Sequence, residues 1–168
     1  MRLICGLNLL SQPEFAEALR PLFEAAEPLA GALYAERPFA SYDDLLERAE
    51  RIAERLPPAD QVQVLNAHPR IGEQPEAVSA FSYREQGYNA EAGLPTKQVR
   101  QVYADLADLN HEYEQRFGFR FVVFVNGRPK SAILEVLRLR LGSTRDAELQ
   151  TGLRDMFLIA RDRYAATS

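Results

Sequence analysis

Apolar residues recur at spacings of three and four along most of the chain. Leu45, Leu46, Ala49, Ile52, Ala53 and Leu56 form one such set, and Val99, Val102, Tyr103, Leu106, Leu109 and Tyr113 a second. Leu149, Leu153, Met156, Phe157, Ala160 and Tyr164 form a third. Each is the stripe of a helix that turns one face to a core. Start signals divide the chain in the same way. Ser11 stands three residues before Glu14, Ser41 three before Asp44 and Ser143 three before Asp146. Each pair has the form of a capping box, with Asp standing in for Glu in the last two. Thr96, directly after Pro95, is placed to cap the long helix that runs toward Arg116. Breaks fall at Pro57-Pro58, from Pro69 to Pro75, from Gly93 to Pro95 and from Asn126 to Pro129. The pattern predicts an all-α bundle of about seven or eight helices, formed by residues 1–168 as a single domain.

One segment departs from the helical period. "FGFRFVVFVNG", Phe117 to Gly127, is dense in aromatic and β-branched residues and closes on Asn-Gly, which reads as extended chain. No second segment offers it a strand partner. An extended stretch near 119–126 inside a helical domain leaves backbone N–H and C=O groups that must be satisfied elsewhere. Either neighbouring side chains take them or a ligand does.

Composition narrows the function. The 168 residues are 46% hydrophobic and 26% charged, an ordinary globular balance. With 20 basic against 24 acidic residues the formal charge is -4, which argues against nucleic acid and for a small-molecule partner. Cys5 is the one cysteine, so neither a disulfide framework nor a thiolate metal cluster is expected. The N-terminal "MRLICGLNLL" does not read as a signal peptide, and no apolar run approaches the roughly 18 residues a membrane span needs. A cytoplasmic location is the expectation. There is no H-E-x-x-H, no pair of histidines at helical spacing and no nucleophile elbow, so no metal site is predicted.

Four places offer chemistry. In "NAHPRIGE", His68 stands before Pro69, a position pushed out of the helical region and therefore onto a helix end or loop. "SYREQ" follows from Ser82 to Gln86, the extended segment comes next, and Arg140 lies in the last turn of "ILEVLRLRLG". Each has an ordinary structural reading. A lone loop histidine is more often incidental than catalytic, and Glu85 with Gln86 can be a solvated helix face. Arg140 can simply offset a helix dipole before Gly142. The other histidine, His111, falls among charged residues of the long helix and reads as a surface group.

Taken together and in this order, the four places resemble the 2-oxo-4-hydroxy-4-carboxy-5-ureidoimidazoline (OHCU) decarboxylases, enzymes of urate breakdown. The resemblance is carried by "RPFASYDDLLERA", "NAHPRIGE", "SYREQGYNAEAGL", "YEQRFGFRFVVFVNG" and "ILEVLRLRLGSTRDAEL", and covers nearly the whole length. It implies that His68 and Glu85 are the catalytic pair and that Pro69 shapes the histidine loop against the substrate. It also implies that Ser82, Gln86 and Arg140 contact the substrate, with Phe121, Val122, Val123, Phe124 and Val125 binding it through their backbone. It further implies a homodimer and cofactor-independent formation of (S)-allantoin. Two departures are visible: Arg120 stands where many members have proline, and Gly142-Ser143 replaces the usual polar-Asn pair.

The chemistry of that reaction suits this inventory. Loss of carbon dioxide leaves an electron pair that the adjacent ring carbonyl and imine-like nitrogen can delocalise, so no cofactor is expected. The protein must hold the ring, turn the carboxylate out of its plane and deliver one proton to one face. His68, with a reference pKa of about 6.5, is suited to that delivery. Glu85 can orient it or repel the substrate carboxylate. A ureide-sensing module and a helical interaction domain are the competing readings. Keeping both His68 and Glu85 favours the enzyme, because a sensor needs contacts and no proton donor.

Overall fold

A computed structural model of the chain describes residues 1–73 and 96–167. Among them are eight helices and no strand: α1 (Ile4–Asn8), α2 (Gln12–Phe23), α3 (Glu27–Ala35), α4 (Tyr42–Arg55), α5 (Pro58–Asn66), α6 (Thr96–Phe117), α7 (Lys130–Leu141) and α8 (Arg145–Ala165). The all-α reading therefore holds. The second apolar set falls on α6, from Val99 to Tyr113.

The helix ends follow the local chemistry. At α2 the Ser11 N–H donates to the Glu14 carboxylate at 3.0 Å, one half of the expected capping box. At α4 the Ser41 hydroxyl accepts from Asp44 N–H at 3.1 Å. Asp44 turns its own carboxylate to Ala40 N–H and to Arg48. The start of α8 falls one residue later than the pattern predicts: Thr144, not Ser143, is the cap, accepting from Ala147 N–H at 3.4 Å. Pro57-Pro58 ends α4 as expected, with Leu56 in an extended conformation at ψ 146°, the region toward which a following proline biases a residue.

The centre of the bundle is α8, against which α2, α4, α5 and α6 all pack. Its buried face carries Leu149, Gly152, Leu153, Met156, Phe157, Ile159 and Ala160. Gly152 sets the distance to α5, since a Cβ there would come to 2.9 Å from Leu65 Cδ1, well inside van der Waals contact. The same helix carries charged groups near both ends, Glu148 in the first turn and Arg163 in the last. They lie roughly 22 Å apart along the axis at 1.5 Å per residue.

Candidate active site

The turn that carries His68 is fixed by one face of α6. Arg70 meets Glu114 through Nε and Nη2 at 2.6 and 2.8 Å, the paired geometry in which a guanidinium holds a carboxylate most firmly. The Ile71 carbonyl accepts from the buried Asn110 Nδ2 at 3.0 Å. Gly72 follows with φ +78°, and a Cβ there would lie 2.9 Å from Leu106 Cδ1, so only glycine fits. Leu106, Asn110 and Glu114 are spaced by four and share one face of the helix. "RIG" thus reads as a docking sequence that lays the loop along α6.

His68 begins this turn just after α5, its N–H donating to the Leu65 carbonyl at 3.1 Å. The pre-proline position predicts a histidine presented on a loop and contributing little packing. Instead the side chain turns inward, leaving the residue 3% exposed; among the described residues neither ring nitrogen makes a well-formed hydrogen bond, the Val64 carbonyl lying within weak reach only. Buried polar atoms are nearly always paired, so an orphan imidazole calls for an explanation. Burial, assisted by the Arg163 charge and more weakly by Arg120, pushes its pKa down to about 4. Glu24 and the nearby Val64 carbonyl oppose the shift. The ring is therefore neutral at pH 7.

Arg163 and Glu24 are the charged pair that sequence reasoning missed. The Arg163 side chain is 2% exposed and meets the Glu24 carboxylate at 2.9 Å. It also points Nη1 at the Pro21 and Leu22 carbonyls, 3.4 Å from each, at the open end of α2. Glu24 follows that end with φ +56° and ψ -146°, a conformation that costs a non-glycine residue about 1–3 kcal/mol. Residues 24, 68 and 163 share no motif, and only the fold relates them.

The extended segment behaves as its composition predicts, and its own geometry sharpens the expectation. Phe117, Phe119 and Phe121 turn to one side and pack their rings on Tyr113 at 4.6, 5.9 and 5.2 Å. Residues 121, 122, 123 and 125 have buried side chains, so what the segment presents is backbone. One edge is taken by side chains. The Val122 carbonyl accepts from Arg140 Nη1 at 2.9 Å and the Phe124 carbonyl from Arg128 Nη2, while the Phe124 N–H faces Asp155. The Val125 carbonyl accepts from the Arg128 backbone N–H across the Asn126-Gly127 turn, where φ is +47° and +70°. On the opposite edge, the N–H and C=O of Phe121 and Val123 have no partner among the described residues. Alternate residues of an extended chain face the same way, so these groups form one open row.

Arg140 stands on the occupied side. Its Nε meets Glu148 at 2.6 Å and its Nη1 meets Asp155 at 3.1 Å, and its guanidinium lies 4.6 Å from the Phe121 ring centre. Tyr113 holds the same Glu148 oxygen at 2.7 Å, and burial raises the pKa of both Tyr113 and Asp155. Only Nη2 of Arg140 is buried without a partner. The reading of Arg140 as a simple dipole partner is too weak, because it organises a buried network. The Ser82, Glu85 and Gln86 of the sequence reading lie outside the described residues. His111 is exposed and pairs with Gln115, as expected. Among the described residues no cluster of His, Cys, Asp or Glu is placed to hold a metal, and no helix is long and apolar enough to cross a membrane.

Comparison with known proteins gives the site a family. The sequence profile of OHCU decarboxylase matches residues 8–165. The 2-oxo-4-hydroxy-4-carboxy-5-ureidoimidazoline decarboxylase of Haloferax volcanii is 33% identical over 159 residues, covering 95% of this chain and 92% of that protein. The uric acid degradation bifunctional protein of Bacillus subtilis is 35% identical over 159 residues, covering 95% of this chain but 31% of its own length. In three dimensions the chain resembles a crystal structure of OHCU decarboxylase in the presence of (S)-allantoin, with a TM-score of 0.70 over 90% of this chain and 96% of that one. At 22% identity that likeness speaks for the fold. The chain belongs to the OHCU decarboxylase family.

Proposed function

We propose that this chain decarboxylates 2-oxo-4-hydroxy-4-carboxy-5-ureidoimidazoline to (S)-allantoin in urate degradation, without a cofactor and with His68 as the proton donor. The observation that carries the assignment is the orphan imidazole: a buried histidine whose two nitrogens make no well-formed hydrogen bond among the described residues, on a turn that Arg120 ties to an extended segment with an open row of backbone groups. In the ligand-free chain burial keeps that ring neutral. A substrate carboxylate brought close to it favours the imidazolium, so binding loads the ring with the proton the reaction consumes. The bond from the hydroxyl-bearing ring carbon to the carboxylate then breaks, carbon dioxide leaves, and the electron pair moves into the adjacent C=N of the ureido-bearing carbon, leaving an enol whose proton passes to the ring nitrogen. His68 gives its proton to the neighbouring ureido-bearing carbon on one face while the enol becomes the ring carbonyl, which fixes the handedness of the product.

The other roles follow from the same chemistry. Backbone donors and acceptors of Phe121 to Val125, chiefly those of Phe121 and Val123, match the amide-like edges of the ligand. Pro69 shapes the loop at His68, and Glu85 destabilises the bound carboxylate by repulsion or orients the ring. Ser82 and Gln86 hold the ureido group, and Arg140 offers its unpartnered Nη2 to a ligand oxygen. The chain acts as one domain in a cytoplasmic homodimer.

Turnover of freshly generated substrate, followed by circular dichroism, tests the assignment. The chain should give optically active (S)-allantoin faster than spontaneous decay gives the racemate. Racemic product at the spontaneous rate would overturn it.

A further inference from the structure

A catalytic imidazole is normally aimed by a hydrogen bond to its second nitrogen. His68 shows no well-formed one: among the described residues neither nitrogen has a partner at hydrogen-bond geometry. Its direction is therefore set by its packing and by its backbone, and the backbone has two anchors. The N–H is held by the Leu65 carbonyl at 3.1 Å, the last turn of its own helix. The carbonyl accepts from Arg120 Nη1 at 2.8 Å, across 52 residues of chain.

Arg120 holds the same turn a second time. Its backbone N–H donates to Asn66 Oδ1 at 2.8 Å. One residue of the extended segment thus grips residues 66 and 68 together, through main chain and side chain. Arg120 directly precedes Phe121, the first residue of the open backbone row. The clasp therefore ties the proton donor to the surface on which the ligand is laid. A proline at this position has neither the N–H nor the guanidinium.

We infer that Arg120, with Asn66, is a positioning residue that sets the aim of the His68 ring relative to the backbone of Phe121 and Val123. This rests on the reading of His68 as proton donor. Losing the clasp leaves the ligand's backbone contacts in place and lets the ring swing, so the expected damage is to proton delivery rather than to binding. Misaimed delivery also lets water protonate the intermediate from either face.

The experiment compares Arg120→Ala, Arg120→Lys and Asn66→Ala with the unaltered chain, reading kcat, KM, the enantiomeric purity of allantoin and the His68 ring titration by NMR. Arg120→Ala should lower kcat roughly 10- to 100-fold, the range in which misplacement on the ångström scale acts, with KM changed less than about threefold. Enantiomeric purity should fall, and the His68 midpoint should rise as the Arg120 charge is lost. Arg120→Lys, which keeps a cationic donor, should recover part of the rate. Free guanidinium should rescue Arg120→Ala, because an open cleft of about 320 Å³ lined by Asn66, Arg70, Glu114, Gly118, Phe119 and Arg120 gives it access. Unchanged rate and purity in Arg120→Ala overturn the inference, as does a lower rate at full purity that tracks a lower melting temperature. If the unaltered chain shows no turnover, the decarboxylase reading fails by itself. The clasp is then judged by the NMR contacts of the His68 ring with its neighbours, which change in Arg120→Ala if Arg120 holds the ring and stay fixed if it does not.

Discussion

Two buried polar centres are tied to the extended segment, one through the Val122 carbonyl and one through Arg120, and they differ in one respect. At the first, Arg140 is committed to Glu148, Asp155 and the Val122 carbonyl, with Tyr113 completing the set. At the second, His68 is as deeply buried and its ring makes no well-formed hydrogen bond among the described residues. A paired centre repays its desolvation and locks the fold. An unpaired one remains costly until something arrives to pair it. That contrast divides the motif residues: the satisfied arginine shapes the segment, and the unsatisfied histidine is the group proposed to meet the ligand.

The largest effect should come from removing the unpaired group. His68→Asn should lower turnover roughly 10²- to 10⁴-fold, the usual contribution of general acid–base catalysis. It should leave the melting temperature at pH 7 nearly unchanged, because no hydrogen bond of the ring is lost. Parallel turnover and melting measurements decide it, and a near-normal rate would remove His68 from the mechanism.

Removing the paired group should do the reverse. Arg140→Ala leaves the buried Glu148 without its arginine and Asp155 with only the Arg128 charge among the described residues, a loss of about 3–5 kcal/mol for a broken buried pair. Denaturant unfolding should show this directly, while allantoin affinity of the folded fraction falls less. An unchanged midpoint with abolished affinity would assign Arg140 to the ligand alone and erase the contrast.

The next effect concerns pH. The folded pKa of His68 is about 4 against the ordinary imidazole value of 6.5, so between those values the unfolded chain binds the extra proton. Stability from this residue is fully present above about pH 6.5 and is lost as pH falls toward 4, by about 3 kcal/mol over that window. Melting curves of the unaltered chain and of His68→Asn should diverge across that interval, the variant losing less. Parallel curves would mean the ring is charged in the fold or open to water.

These contrasts also show what could be read from residue order. The helical stripes placed α4, α6 and α8 because amphipathic periodicity is local, and "FGFRFVVFVNG" announced itself because its composition contradicts a helix. His68 was visible as a chemical group in a break, but its burial was not, since a pre-proline residue reports only its own backbone. Arg140 was legible as a cation in a last helical turn. Its true partners, Glu148 and Asp155, come from the next helix and change its meaning. Arg163, Glu24 and the Asn66–Arg120 clasp join residues 139 and 54 positions apart, and nothing in the chain order signals such pairings.

The smallest expected effect belongs to the other histidine. His111 is exposed on α6 beside Gln115, and His111→Gln should change stability by less than about 0.5 kcal/mol and leave turnover unaltered. A clear loss of activity would mean that the division between paired and unpaired groups has misplaced a functional residue.

That silent variant opens the most direct test, because a His111→Gln chain contains a single imidazole. Its ring signals, followed by NMR from pH 7 to pH 3.5 with and without a bound anionic analogue of the substrate, report the state of His68 alone. The account predicts a free-state midpoint near 4 that moves upward by more than one pH unit when the anion binds. A midpoint near 6.5 that ignores the ligand would contradict it.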